Sequence, residues 1–419
     1  MMSGTSCAKP TTAHSQARRV GLSLPPDDRK KYLSATSATL SAIPSSLSRT
    51  VTLPHAMFWR RTISLSRRTL CSIAKPTAPL GSPAISQLQP HWFTSAPSEI
   101  EELNANVIAA TEKTPKFMDT EGGAPAYRAA RHTAFKHGDP EFIEDVTFFG
   151  PDLPASGCRG RLFFPGPKSE AQPRGALLHL HGGGFTSGSA MGQNDDRLLR
   201  HAANTNLTVF SVDYRLSPEN VHPAALLDSL AGAAWLDSSE GRAACKISAQ
   251  APLLLVGESA GGYLAASMLI KLRQEAEQHA KLFKAVALTY GWFDMGETPY
   301  FKLFGEKRLV ETADELRWFR SNYLGESFPA ERLRDPDVSP LYADLRGLPP
   351  AIFSVGTEDA LLEDSLFMYM RWLTSGNAAE LRVYPGAAHG MGHFGPHQHT
   401  KQGEVALQNI EAFYNQHLP

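Results

Sequence analysis

One serine in this 419-residue chain has the setting of an activated nucleophile. Ser259 is the centre of Gly257-Glu258-Ser259-Ala260-Gly261, between the apolar run PLLLVG and the segment AGGYLAASMLIKL. The run predicts a buried strand and the segment a helix, so the serine lies in the turn between them. Glycine on both sides removes side chains that would clash in so tight a turn. We therefore predict an exposed nucleophilic hydroxyl above the helix N-terminus; the alternative is a serine that only caps the helix.

A second glycine-rich segment could stabilise the negative charge that such an attack creates. The sequence HLHGGGF (179–185) ends a predicted strand at residues 176–181. Three glycines allow backbone N–H groups to approach a carbonyl oxygen closely. A phosphate cradle is less favoured, because no Lys-Ser or Lys-Thr pair follows and no G-x-G-x-x-G opens a helix. We predict an oxyanion hole from the N–H groups of Gly182, Gly183, Gly184 and Ala260.

A nucleophilic serine also needs a base and a carboxylate that orients the base. Asp359 follows the predicted strand PAIFSVG (350–356), and His389 follows the predicted strand ELRVYP (380–385). This chain order, Ser then Asp then His, predicts a triad at the strand ends. Weaker candidates for the acid are Glu358 and Asp364. His393, His397 and His399 could suggest a metal site, but the intervening glycines and proline prevent a helix that would align them, and we predict no metal.

These residues need a scaffold that brings strand ends together. Short apolar strands alternate with helical segments from about residue 100, which predicts an α/β fold with a mostly parallel sheet covered on both faces. Further strands are predicted at 161–166, 207–214, 252–257 and 284–290, and helices at 98–113, 197–205, 223–236, 260–280, 312–324, 361–373 and 403–418. The long interval between the strands at 284–290 and 350–356 predicts a helical cap over the site. We assign cap elements to about 100–140 and 294–340.

The first 95 residues differ from the rest. The first 98 residues contain twelve Lys or Arg and two acidic residues, with many Ser, Thr and Pro, which predicts a disordered extension (1–95) before a catalytic domain (96–419). The segment 57–75 is Arg- and Ser-rich and would serve as a mitochondrial transit peptide if Met57 were a start; a plain basic tail is the alternative. We expect an intracellular protein, cytosolic or mitochondrial. The remaining chain has an acidic excess that disfavours nucleic-acid binding, and no apolar run is long enough to span a membrane.

Together these motifs resemble the hormone-sensitive-lipase-like family of α/β-hydrolases. The stretches that carry the resemblance are HGGGF, DYRLSPENVHPAALLD (213–228), GESAGG, GTEDALLED (356–364) and AAHG (387–390). The resemblance covers residues 100–419 and implies an esterase of small acyl or aryl esters with Ser259, Asp359 and His389 as its triad. It also implies no metal or organic cofactor and a small-molecule ester as partner. We expect a monomer or a homodimer.

Substrate contacts are predicted for four residues near these motifs: Glu258, Phe185, Trp292 and Met391. Two of them depart from the pattern of the family that the chain resembles. Met391 stands beside His389 where an aromatic residue is more usual in that family, and Glu258 stands where Asp is frequent. The cap region is rich in aromatic residues, which fits an apolar pocket of modest size but equally fits ordinary packing. The same triad could hydrolyse amides, formamides or lactones, or transfer acyl groups. A non-catalytic receptor for a small ligand is a further alternative, since fold alone does not fix function.

Overall fold

The apolar runs form the strands of one sheet in the computed structural model. It describes residues 91–92, 105, 107–109, 111, 116–132, 137–276, 279, 281–305, 309–393 and 400–418, which lie in a unit that spans Lys75–Pro419. The nine strands found in this part of the chain are β1 (His91–Trp92), β2 (Ile143–Phe148), β3 (Cys158–Phe163), β4 (Gly175–Leu180), β5 (Leu207–Asp213), β6 (Leu253–Glu258), β7 (Phe283–Thr289), β8 (Ala351–Glu358) and β9 (Ala379–Ala388).

The strand order is β1-β9-β8-β7-β6-β4-β5-β3-β2. Strand β3 is antiparallel to both of its neighbours, β2 and β5, and the other pairs are parallel. Parallel strands present their carboxyl ends at one edge of a sheet, where ligands bind in open α/β folds. The segments that follow β4, β6, β8 and β9 therefore meet at that edge, and all the predicted catalytic residues belong to these segments.

Helices cover the sheet. Those in the described residues are α1 (Gly123–His132), α2 (Asp195–Thr205), α3 (Ala224–Asp237), α4 (Ser239–Ala244), α5 (Ala260–Glu275), α6 (Pro299–Phe304), α7 (Ala313–Leu324), α8 (Leu362–Thr374) and α9 (Lys401–Gln416). Short 3₁₀ turns lie at Phe117–Asp119, Ala330–Arg332 and Pro340–Tyr342. None of these helices is long and apolar enough to cross a membrane, among the residues described.

The sheet is buried on both faces, which explains its nearly continuous apolar strands. Alternate residues of β6 belong to different cores: Leu254 packs in the cluster that includes residues of α2 and α9, and Leu255 packs in the cluster that includes residues of α3, α5 and α8. Side chains alternate between the faces of a strand, so one short strand contributes to both layers. The predicted α/β-hydrolase architecture, a mostly parallel sheet between helices, is confirmed.

Two residues of the predicted disordered extension form a strand. His91 and Trp92 lie within the predicted extension (1–95), yet they form β1 and pair with Arg382 and Val383 of β9. A two-residue strand gives no periodicity to detect, so the sequence could not indicate it. The segment 57–75 and Met57 lie outside the described residues.

The interval between β7 and β8 contains helices α6 and α7, as the cap prediction requires. Helix α7 begins with a capping box in which Thr312 and Glu315 satisfy each other's backbone N–H groups. Its Phe319 packs directly on the glycine-rich loop, since a Cβ at Gly184 would lie 2.4 Å from the Phe319 ring. Tyr323 stacks on Phe185 of the same loop, with ring centroids 3.8 Å apart. The cap therefore rests on the loop that follows β4.

Candidate active site

Ser259 occupies a strained turn between β6 and α5. Its backbone has a φ of +54°, which is uncommon for a residue with a side chain. The turn is closed tightly: a Cβ at Gly257 would lie 2.2 Å from the Gly261 carbonyl oxygen, and a Cβ at Gly261 would lie 1.9 Å from the carbonyl oxygen of Leu180. Both positions exclude any other residue. The two glycines thus permit the conformation that the sequence predicts for the serine.

Three predicted side chains meet at the carboxyl edge of the sheet. Nε2 of His389 lies 2.9 Å from Oγ of Ser259, and Nδ1 of His389 lies 3.0 Å from each carboxylate oxygen of Asp359. A carboxylate only accepts hydrogen bonds, so Nδ1 carries a proton, and whenever the ring is neutral the lone pair of Nε2 faces the serine hydroxyl. All three side chains are buried, which differs from the exposed hydroxyl that the sequence predicts for Ser259. An imidazole held in this way can accept the hydroxyl proton while the oxygen attacks a carbonyl carbon.

The electrostatic surroundings of His389 favour its protonated form. Burial lowers the pKa of the imidazole, but the carboxylates of Asp359 and Glu311 outweigh burial and raise the pKa to about 9. Glu311, from the cap, has an oxygen 3.9 Å from Nε2. The ring of Tyr290 packs edge-on against the imidazole, with centroids 4.8 Å apart. Two carboxylates thus flank the imidazole, one near each nitrogen.

The glycine-rich loop lies next to this group. Among the described residues, the N–H groups of Gly183 and Gly184 donate no hydrogen bond, so both can bind an acceptor from outside the chain. Tyr214 supports the loop by donating its hydroxyl to the carbonyl oxygen of His181 (2.7 Å) and by stacking on the His181 ring. Ala260 begins helix α5, where N–H groups have no partner within the helix. Gly182 precedes these donors in the loop.

Glu258, which the sequence predicts as a substrate contact, has buried partners of its own, and its contact with substrate stays a prediction. Its carboxylate is completely buried, 2.8 Å from a guanidinium nitrogen of Arg197 and 3.0 Å from Nε2 of His179. Burial alone would raise the pKa of Glu258, but the charge of Arg197 holds it well below its usual range. His393 approaches the same carboxylate at 3.5 Å. Successive residues of a strand point to opposite sides, so Glu258 faces inward when Ser259 faces the cleft.

The other predicted substrate contacts are buried packing residues. Phe185 is stacked on Tyr323, and Trp292 packs on Phe301 while its indole N–H donates to the carbonyl oxygen of Asp294. Met391 is buried in the same apolar core. Contact of these residues with substrate stays a prediction. Most of the aromatic cap residues also pack in this core, with Tyr300 and Trp318 only partly buried.

One of the weaker candidates for the acid, Asp364, lies elsewhere. Asp364 accepts hydrogen bonds from the backbone N–H groups of Phe293 and Asp294, both at 2.7 Å, and burial raises its pKa well above the usual range. Its role is to fix the segment after β7. His397 and His399 lie outside the described residues. Sequence reasoning missed Glu311 and Arg197, because neither lies in a motif. It also missed His179, which begins the segment HLHGGGF but whose buried partner Glu258 is apparent only in the folded chain.

Comparisons with known proteins identify the family of the chain. The family model for the alpha/beta hydrolase fold matches residues 177–393, about half of the chain. An acetyl esterase of Salmonella paratyphi B is 28% identical over 240 residues, which cover 56% of this chain and 69% of the relative. A hyperthermophilic esterase from the archaeon Pyrobaculum calidifontis has a similar structure, with a TM-score of 0.63, 25% identity and coverage of 77% of this chain and 99% of that one.

A thermostable carboxylesterase cloned from a metagenomic library is similar as well, with a TM-score of 0.59, 26% identity and coverage of 78% and 98% of the two chains. Its likeness covers a larger share of the chain than the residues matched by the family model. The chain therefore belongs to the α/β-hydrolase fold family, and the predicted resemblance to the hormone-sensitive-lipase-like carboxylesterases is confirmed.

Proposed function

We propose that this ester-hydrolysing enzyme acts on small acyl or aryl esters through a covalent acyl-enzyme on Ser259. The single observation that carries the proposal is the continuous hydrogen-bond chain from the Ser259 hydroxyl through His389 to Asp359. Relatives named as acetyl esterase and carboxylesterase support an ester as substrate.

The proposed reaction begins when Nε2 of His389 takes the proton of Ser259 and Oγ attacks the acyl carbon. The N–H groups of Gly182, Gly183, Gly184 and Ala260 stabilise the oxyanion. His389 then returns the proton to the leaving alkoxide oxygen as the C–O bond breaks, which releases the alcohol and leaves the acyl group on Ser259. Water, deprotonated by His389, attacks the acyl carbon, and the acid leaves as Ser259 regains its proton.

Asp359 has a positioning and electrostatic role in this scheme. It holds the proton on Nδ1, so that the lone pair of Nε2 faces the serine, and it stabilises the imidazolium formed in both steps. The preference for small esters rests on the packing of Phe319 and Tyr323 against the glycine-rich loop, which leaves the cap close to the reacting groups. No observation favours an amide, a lactone, acyl transfer or a receptor function over ester hydrolysis.

The test uses p-nitrophenyl esters with acyl chains from acetate to palmitate and the full-length protein. We expect hydrolysis of the short esters, with kcat reduced by about 10⁴-fold or more in Ser259→Ala and His389→Ala. Ser327→Ala is the matched control, because Ser327 is exposed in the loop after α7. Equal activity of Ser259→Ala and wild type, or a folded wild type without esterase activity, would refute the proposal.

A further inference from the structure

The cap places a carboxylate at the reaction centre that the proposed mechanism does not use. An Oε atom of Glu311 lies 3.9 Å from Nε2 of His389, the nitrogen that faces the Ser259 hydroxyl. The Glu311 side chain is largely buried, with 11% of its surface exposed. Its backbone is fixed by the next residue, Thr312, whose capping box begins helix α7. The position of this carboxylate is thus determined by the cap and not by the triad.

The position of Glu311 also indicates which part of a bound ester lies near its carboxylate. In ester hydrolysis Nε2 delivers its proton to the oxygen of the leaving alcohol, so that oxygen lies within hydrogen-bond distance of Nε2. A group that lies about 4 Å from Nε2 is therefore near the alcohol part of the ester, a few bonds beyond the ester oxygen.

We propose that Glu311 forms an anionic subsite for the leaving group, and that the enzyme prefers esters whose alcohol part has an ammonium group two or three bonds from the ester oxygen. This inference rests on the proposed esterase function and names its substrate class. An ammonium group beside a largely buried carboxylate gains attraction that is weakly screened by solvent, whereas a carboxylate-bearing alcohol is repelled.

A bound ammonium group would also raise the fraction of His389 that is neutral and able to accept the serine proton. Among the residues that the structure describes, the charged groups that face the imidazole are Asp359 at Nδ1 and Glu311 at Nε2, and Tyr290 contributes a neutral ring. In the free enzyme the two carboxylates favour the imidazolium, which cannot accept the serine proton. An ammonium group that offsets the charge of Glu311 shifts the imidazole toward its neutral form. The preferred substrate would thereby help to generate the base that attacks it.

The test compares acetylcholine with 3,3-dimethylbutyl acetate, which has the same shape without the charge. We expect wild type to have a kcat/KM at least about tenfold higher for the cationic ester at constant ionic strength. In Glu311→Gln the ratio should fall close to one, while Glu311→Asp should retain part of the preference. Glu326→Gln is the matched control, since it removes one exposed carboxylate from the loop after α7 and should keep the wild-type ratio.

A second readout is the acid limb of the kcat/KM profile for the neutral ester. Removal of the Glu311 charge should move this limb to lower pH, which a purely structural role in the cap would not do. Hydrolysis of both esters with equal kcat/KM by wild type, or a preference that persists in Glu311→Gln, would overturn the subsite and leave the esterase function standing. Hydrolysis of neither ester by the folded protein would overturn the proposed function and the subsite together.

Discussion

The ion pair between Glu258 and Arg197 is expected to be essential for stability because it is buried. The two groups are 2.8 Å apart, and their side chains are 0% and 2% exposed. Replacement of Glu258 by glutamine keeps the shape and a hydrogen bond to His179 but leaves the Arg197 charge without a partner. Loss of one partner of a buried pair costs about 3–5 kcal/mol of unfolding free energy. For a folded unit the size of Lys75–Pro419 this corresponds to a Tm lower by roughly 4–7 °C.

The assay is thermal unfolding of the full chain followed by circular dichroism, with two comparisons. The exposed pair Arg332–Asp335 has the same 2.8 Å separation but side chains 54% and 42% exposed, so Asp335→Asn should lower the Tm by no more than about 1–2 °C. The double variant Glu258→Gln with Arg197→Met removes both charges, and its loss should be smaller than the sum of the single losses.

The pH dependence of the Tm gives a further check on the role of Glu258. The pKa of folded Glu258 lies below its usual range, so the stabilising contribution is present above the usual carboxyl pKa and is lost as the pH falls toward the folded-state value. Wild type and Glu258→Gln should therefore converge in Tm at acid pH. A Tm loss at neutral pH no larger than that of Asp335→Asn would refute the reasoning that burial makes this pair important.

Substitutions at three other positions test the site and its supports. Asp359→Asn should lower kcat for p-nitrophenyl acetate by about 10⁴-fold, because an amide can donate to Nδ1 and fix the wrong tautomer; a loss under tenfold would contradict this role. Gly261→Ala should cost at least about 1–3 kcal/mol, since its Cβ would meet the Leu180 carbonyl, whereas Gly166→Ala, with open space around it, is the control and should change the Tm little. Asp364→Asn should keep the two backbone hydrogen bonds and cost under about 1 kcal/mol, while Asp364→Ala costs roughly 2 kcal/mol or more; equal Tm values would contradict this. Because burial raises the pKa of Asp364, its stabilising contribution is lost as the pH rises through the folded-state pKa, and the asparagine variant should lack this pH dependence.

The sequence was sufficient to predict the strands that position the site. Strands β4, β6, β7, β8 and β9 lie within a few residues of their predicted ranges, because buried strands give strong apolar runs. The residues that follow these strands could be assigned to one edge of the sheet because parallel strands have their carboxyl ends at the same edge. Strand β2, by contrast, has exposed residues at its centre and gives no such run. It was missed, as was helix α4, which has only one turn and a half.

The features of the site that the sequence did not predict depend on contacts between residues far apart in the chain. Glu258 sits next to the serine in sequence, yet its buried partner Arg197 comes from helix α2, which no local pattern connects to β6. Glu311 belongs to a cap segment without a motif, and its distance from His389 depends on how α7 packs on the glycine-rich loop. Sequence patterns describe local structure and burial, but they do not identify which polar side chains will be buried together.

The way in which the chain builds this site separates its chemistry from its selectivity. Ser259, Asp359 and His389 are anchored by β6, β8 and β9, whose spacing is set by the hydrogen bonds of the sheet. Exchange of the interval between β7 and β8 with that of another hydrolase would leave these anchors in place. The same exchange would remove Glu311, and with it one of the charges that raise the pKa of His389. For protein engineering, exchange of the cap is therefore expected to change both the pH range in which the enzyme is active and the substrates that it accepts.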